Sequence, residues 1–148
     1  MKNKNRRLIS CLLSAILLLV MSFGFGTFAG AEESDSSKPV VWIVGDSTVS
    51  AFTDNYYYLD GTFEVKNIAL SGRSSTSYTA DKEYGELIAG MKKGDFLLVG
   101  FGHNDEKAES GRYTNPNGDY KTAGSFAYSL YENYIKPAQA AGTTVVLC

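Results

Sequence analysis

Three short polar blocks in this chain carry residue types that can do chemistry. The first reads Gly45-Asp46-Ser47-Thr48 and directly follows the apolar residues 40–44. A serine at the end of a buried strand lies at the mouth of a sheet, and a helix starting there offers amide groups that favour a nearby oxyanion. Ser47 is therefore a candidate nucleophile, although a serine after a tight turn is also a common helix N-cap.

The second block spans residues 67–74 and the third spans residues 101–105. The second contains Gly72, and a glycine at a strand end lets the backbone approach a ligand closely, although plain turns also use glycine. The third contains Asn104, which is suited either to donating a hydrogen bond into a site or to forming a turn. Each block taken alone is thus compatible with an ordinary loop.

In order and context, the three blocks resemble the SGNH hydrolase superfamily, also called the GDSL family. The closer likeness is to its rhamnogalacturonan acetylesterase-like branch, with motifs of the form GDST, N-x-A-x-x-G-R-S and F-G-H-N-D. This resemblance implies that Ser47 is the nucleophile, supported by Asp46. It also implies an oxyanion hole made by the amides of Ser47 and Gly72 and by the side chain of Asn104. The candidate substrate-binding residues are His103, Arg73 and Tyr113.

The general base is the difficult part of this assignment. A serine needs a base to take its proton, and the chain has one histidine, His103. Its neighbour Asn104 is assigned to the oxyanion hole, opposite the side where a base must work. In the family the base comes from a later D-x-x-H block, which the residues after Asp105 do not contain. We therefore expect the N-terminal part of a hydrolase domain, truncated at the C-terminus, nearly inactive and poorly folded by itself.

The hydrophobic pattern predicts the elements that position these blocks. The apolar, β-branched run over residues 40–44 predicts a strand buried on both faces, and residues 65–70, 96–99 and 143–147 predict three more. Helical spacing and stop signals predict helices over residues 81–91 and 125–141. Strands that alternate with helices indicate a parallel sheet. We therefore predict an α/β fold, and the resemblance implies the three-layer, flavodoxin-like arrangement of SGNH hydrolases.

In such a sheet, sites form beyond the carboxyl ends of the strands. That rule selects three loops, at residues 45–50, 71–75 and 100–105, which contain the serine, the glycine and the asparagine named above. A long polar loop over residues 106–122 follows the third of them, and loops of this length often shape a binding site.

The start of the chain is typical of a secretory signal peptide. Basic residues precede an apolar run over residues 8–20, and Ala29-Gly30-Ala31 offers small residues for cleavage. The apolar run is short for a membrane anchor. We expect a signal peptide over residues 1–31, a polar leader over residues 32–39, the N-terminal part of the hydrolase domain over residues 40–148, and a secreted product.

Composition limits the classes of partner. All 16 acidic residues follow the signal segment, whereas some of the 14 basic residues lie within it. An acidic mature chain is poorly suited to nucleic acid or anionic lipid, so we expect neither nucleic acid nor a stable membrane partner. Its one remaining cysteine, Cys148, cannot form an internal disulfide or a cysteine-based metal site. We expect no metal and no cofactor.

The expected function is that of a secreted carbohydrate O-acetylesterase acting on acetylated pectin or a related plant polysaccharide. Tyrosines suit either stacking on sugar rings or ordinary packing, and the candidates are Tyr56, Tyr57, Tyr58, Tyr113 and Tyr120. The alternatives are a lipase or lysophospholipase of the same superfamily, or an inactive fragment that binds glycan weakly. The sequence does not indicate the polymer or the oligomeric state.

Overall fold

The computed structural model describes residues 38–51, 61–108 and 110–148. The predicted signal peptide, most of the leader and the tyrosines at positions 56–58 lie outside these ranges. Four parallel strands form one sheet: β1 (Val40–Gly45), β2 (Glu64–Asn67), β3 (Phe96–Gly100) and β4 (Thr144–Leu147). The predicted α/β fold with a parallel sheet is confirmed. The second strand ends at Asn67, whereas the prediction extended it to residue 70. Beyond Asn67, the Ile68 and Leu70 amides still donate to carbonyls of β1, but these residues are not part of the regular strand.

The sheet order is β2-β1-β3-β4, so the chain leaves β1 in one direction for β2 and later returns to the other side of β1 for β3. This reversal makes the carboxyl ends of β1 and β3 a topological switch point, where open α/β sheets bind ligands. Gly45 and Gly100 are paired at that point. The first and third blocks therefore leave the sheet side by side.

Helices connect these strands. α1 is a single turn (Ser47–Ser50), a short 3₁₀ turn spans Ser77–Ala80, and α2 spans Lys82–Gly90. The predicted helix over residues 125–141 begins after the N-cap Ser125 as α3 (Phe126–Leu130), and continues through a π-helical segment (Tyr131–Ile135) into α4 (Lys136–Ala141). Gly142 ends it in the left-handed conformation, with φ of 77°.

The core lies against β1 and β3. All six residues of β1 are buried, which confirms the strand predicted to be covered on both faces. Trp42 is fully buried, and its indole nitrogen donates a hydrogen bond to the buried carboxylate of Asp95 at 3.2 Å. Within the described residues, no helix has the length and apolar character needed to cross a membrane.

Candidate active site

Ser47 is the first residue of α1 and is exposed to solvent. The preceding residue, Asp46, is buried and caps the helix, because its Oδ1 accepts a hydrogen bond from the Thr48 amide at 2.8 Å. Its other oxygen, Oδ2, is buried and has no hydrogen-bond partner within the described residues. The Ser47 amide likewise donates to no acceptor in the described part of the chain. Among the described residues, Ser47 thus presents both a hydroxyl and an N–H group that has no acceptor.

Two glycines let α1 lie directly on the sheet. A Cβ on Gly45 would collide with the Gly100 carbonyl and with the side chain of Val49, and a Cβ on Gly100 would lie 2.8 Å from Val49. The glycine of the GDST motif is therefore required for packing. It leaves room for the Val49 side chain of α1 beside Gly100 at the end of β3.

The second block is tied to the first along its length. The Leu70 amide donates to the Gly45 carbonyl at 3.0 Å, and the Asn67 side chain donates to the Val49 carbonyl at 2.9 Å. Gly72 follows at φ of +78°, a conformation that side chains disfavour, and its amide has no acceptor among the described residues. These bonds hold the Gly72 loop at the level of the serine.

The third block contributes Asn104, which is 2% exposed. Its Nδ2 donates to the Arg73 carbonyl at 2.9 Å, and its Oδ1 accepts from Lys107 Nζ at 2.8 Å and from Arg112 Nη1 at 3.2 Å. An amide nitrogen carries two hydrogens, so one N–H of Asn104 is still able to donate. The Asp46 amide, which donates to the Gly100 carbonyl at 3.2 Å, joins the first and third blocks.

A buried carboxylate that sequence reasoning did not assign holds these loops together. Asp105 is 3% exposed and accepts hydrogen bonds from the Ser75 amide, the Ser75 hydroxyl and the Thr114 hydroxyl at 3.1, 2.5 and 3.1 Å. The Ser129 hydroxyl of α3 and the Tyr134 hydroxyl also bond to Ser75. Asp105 is the last residue of the F-G-H-N-D motif. The motif therefore marked this residue in the sequence, but it did not indicate that the carboxylate binds the neighbouring loops.

The candidate substrate-binding residues lie in different environments. Arg73 forms a bidentate ion pair with Asp81 through Nε at 2.6 Å and Nη2 at 3.0 Å. His103 is exposed and its Nδ1 lies 3.7 Å from the Glu106 carboxylate. Tyr113 is 43% exposed and lines a cavity of about 480 Å³ beside Gly102. A larger cavity of about 550 Å³ lies along the helix of residues 126–141; Tyr120 is the one candidate tyrosine among its described lining residues, and no assigned catalytic residue is among them.

The charges around the site follow from these contacts. The hydrogen bond from Arg73 lowers the pKa of Asp81, since the guanidinium stabilises the charged carboxylate. Burial raises the pKa of Tyr134 and of Tyr78, so both phenols stay neutral and act as donors to the carbonyls that support the second block. In the described ranges, no group of three or more potential ligand side chains is placed to hold a metal ion.

The chain is similar in sequence to three curated rhamnogalacturonan acetylesterases. The chain is 33% identical over 81 residues to a rhamnogalacturonan acetylesterase from Emericella nidulans; the match covers 53% of this chain and 31% of that protein. The predicted resemblance to this branch of the SGNH hydrolases is confirmed. Two Bacillus subtilis proteins are also similar. The "probable rhamnogalacturonan acetylesterase YesY" is 30% identical over 65% of the chain and 44% of its own length. The rhamnogalacturonan acetylesterase RhgT is 32% identical over 47% of the chain and 35% of its own length.

The chain spans less than half the length of each of these curated relatives. Among solved structures, it is similar to the crystal structure of the Bacillus subtilis protein YxiM, with a TM-score of 0.52 and 20% identity over 75% of this chain and 32% of that one. At that identity the likeness concerns the fold alone, and it agrees with the parallel α/β sheet described above. No protein-family model matches the chain.

Proposed function

We propose that this chain carries the nucleophile and oxyanion hole of a serine esterase that removes acetyl groups from rhamnogalacturonan or a related plant polysaccharide. The observation that supports this most is a set of three unused donors on three adjacent loops. The amides of Ser47 and Gly72 and one N–H of Asn104 lack acceptors within the described residues. N–H groups that are fixed in place and have no protein acceptor can bind an ester oxygen as it becomes negative, and the burial of Asn104 strengthens this argument for its side chain.

In the proposed reaction, Ser47 Oγ attacks the acetyl carbonyl while its proton passes to a base. The carbonyl oxygen becomes an oxyanion and accepts hydrogen bonds from the three donors. Collapse breaks the bond to the sugar oxygen, which leaves with a proton, and the acetyl group remains on Ser47. Water then attacks the acetyl-serine, acetate leaves, and Ser47 regains its proton.

The base is not assigned within this chain. His103, its only histidine, is exposed and faces Glu106, and it directly precedes the oxyanion residue Asn104. We assign His103 to contact with substrate. By itself the chain should therefore be a slow catalyst, and small bases such as imidazole should accelerate it by taking the Ser47 proton.

The polysaccharide substrate is supported by the cavity beside the third block. It combines the exposed ring of Tyr113 with Pro116 and with the carboxylate of Glu106. A ring face with adjacent acceptors suits a sugar, which presents apolar C–H faces and hydroxyl donors. Tyr120 provides a matched comparison, since it is similarly exposed, at 46%, but lines the other cavity. The proposal includes export by the signal segment of residues 1–31, which would bring the enzyme to its polymer.

The test is acetate release from acetylated rhamnogalacturonan by the full chain in imidazole buffer, with Ser47→Ala as the reference. We expect release that depends on Ser47, and a loss in Tyr113→Ala but not in Tyr120→Ala. Hydrolysis of 4-nitrophenyl acetate should be little changed in both tyrosine variants. Equal release by Ser47→Ala would refute the nucleophile. A preference for a long-chain acyl ester would instead indicate a lipase-type enzyme.

A further inference from the structure

The orientation of the Asn104 amide is fixed by two positively charged side chains. Oδ1 accepts from Lys107 Nζ at 2.8 Å and from Arg112 Nη1 at 3.2 Å, while Nδ2 faces the Arg73 carbonyl at 2.9 Å. Lysine and arginine only donate hydrogen bonds, so they can only face the oxygen of the amide. The NH₂ group is thereby held on the opposite side, where the oxyanion hole requires a donor.

Arg112 also reaches the second donor loop. The same Nη1 atom donates to the Gly72 carbonyl at 3.2 Å, so one nitrogen with two hydrogens joins Gly72 to Asn104. Gly72 is held at positive φ, where a glycine has wide freedom unless it is anchored. Arg112 therefore connects two of the three proposed oxyanion donors, which come from different strands of the sheet.

Ser110 links the two cations to each other. Ser110 Oγ donates to the Lys107 carbonyl at 3.0 Å and accepts from Arg112 Nε at 3.3 Å. The Ser110 amide also donates to the Lys107 carbonyl, at 3.1 Å. This turn places the two side chains on the same amide oxygen, although they lie five positions apart in the chain.

Neither cation is neutralised by a carboxylate in the part of the chain that the structure describes. Other basic residues there do form such ion pairs, namely Lys66, Arg73, Lys82 and Lys136. Two positive charges on an amide oxygen draw electron density from the amide and make its N–H groups stronger donors. They also favour negative charge that develops beyond those N–H groups.

We propose that Arg112 and Lys107 are positioning residues of the oxyanion hole, acting through Asn104 and, for Arg112, through Gly72. The proposal rests on the function proposed above. It makes the long polar loop part of the catalytic apparatus, because that loop supplies the charge that prepares a neutral amide to bind an oxyanion.

The experiment compares Arg112→Met, Lys107→Met and Arg112→Lys with the control Lys121→Met, whose ammonium lies over the exposed ring of Tyr120. Hydrolysis of 4-nitrophenyl acetate is measured in imidazole buffer, after subtraction of the Ser47→Ala rate. Loss of a whole oxyanion donor costs about 10²–10³-fold in kcat, so a residue that orients one should cost about 10–100-fold. We expect this for Arg112→Met with KM within about twofold, a smaller loss for Lys107→Met, partial recovery in Arg112→Lys, and no change in Lys121→Met.

A second readout does not need activity. In ¹⁵N–¹H spectra of the unliganded protein, the side-chain NH₂ signals of Asn104, assigned by their loss in Asn104→Ala, should shift and exchange faster in Arg112→Met and Lys107→Met but not in Lys121→Met. Unchanged signals and unchanged kcat in folded Arg112→Met and Lys107→Met proteins would overturn the proposal. If Ser47→Ala retains full activity, the proposed function fails, while the Asn104 signals still report whether the two cations orient the amide.

Discussion

The replacement of Asp105 by asparagine should destabilise the protein by about 3 kcal/mol. The carboxylate is 3% exposed and accepts from the Ser75 amide, the Ser75 hydroxyl and the Thr114 hydroxyl. A hydrogen bond to a charged group contributes about 1.5–3 kcal/mol and a neutral one about 0.5–1.5, so each of the three bonds weakens by about 1 kcal/mol. The asparagine also has only one acceptor oxygen, and its NH₂ group cannot accept from the donors of Ser75.

Urea denaturation measures this loss. With a slope of about 1.5 kcal/mol/M, a loss of about 3 kcal/mol lowers the midpoint by about 2 M. The control is Asp119→Asn, since Asp119 accepts comparable bonds from Thr122 and Lys121 in an exposed loop, where the charge remains hydrated. Midpoints that fall equally in the two variants, or by less than about 0.5 M in Asp105→Asn, would refute the idea that a buried carboxylate holds the site loops.

Two further predictions concern packing and pH. Gly45→Ala should destabilise the protein by about 1–3 kcal/mol in thermal melts, because the new methyl group collides with the Gly100 carbonyl. The control is Gly85→Ala, whose methyl group meets nothing within 4 Å and which should be neutral or stabilising. The ion pair with Arg73 lowers the pKa of Asp81 in the folded state, so its contribution is present above the ordinary pKa of 3.8 and is lost as the pH falls below it. Asp81→Asn should therefore weaken the acid dependence of stability below about pH 4, and an unchanged acid limb would contradict this role of the ion pair.

The sheet could be predicted because its signals are local. Residues 40–44 and 96–99 are apolar runs with no alternation, which is typical of strands covered on both faces. All six residues of β1 are buried, whereas Phe96 and Leu98 of β3 are half-buried. The helix over residues 125–141 also has local signals, in the N-cap Ser125 and the stop at Gly142. Its π-helical segment, Tyr131–Ile135, has no such signal. Within it, Tyr134 donates to the Ser75 carbonyl, and the Asn133 carbonyl accepts from Tyr84.

The candidate site was predictable only where a motif carried it. Ser47, Gly72 and Asn104 were assigned from their places at strand ends and from the resemblance, and those roles remain predictions. Asp105 and Arg112 received no role, because their partners lie 30 and 40 positions away at Ser75 and Gly72. No periodic pattern records contacts between loops at such separations. A charged residue in a loop motif is usually expected to be exposed. Its burial depends on hydrogen-bond partners from distant parts of the chain, which the local sequence does not show.

We propose above that Ser47 is a nucleophile that faces an oxyanion hole whose donors are already in place. The most direct measurement is the reaction of the full chain with diethyl 4-nitrophenyl phosphate in imidazole buffer, with the modified residue located by tandem mass spectrometry. We predict a phosphoryl adduct on Ser47 that forms faster than on any other serine and forms about 10²–10³-fold more slowly in Asn104→Ala, as expected for the loss of one oxyanion donor. An adduct that forms elsewhere, or at Ser47 at the same rate without Asn104, would contradict the account.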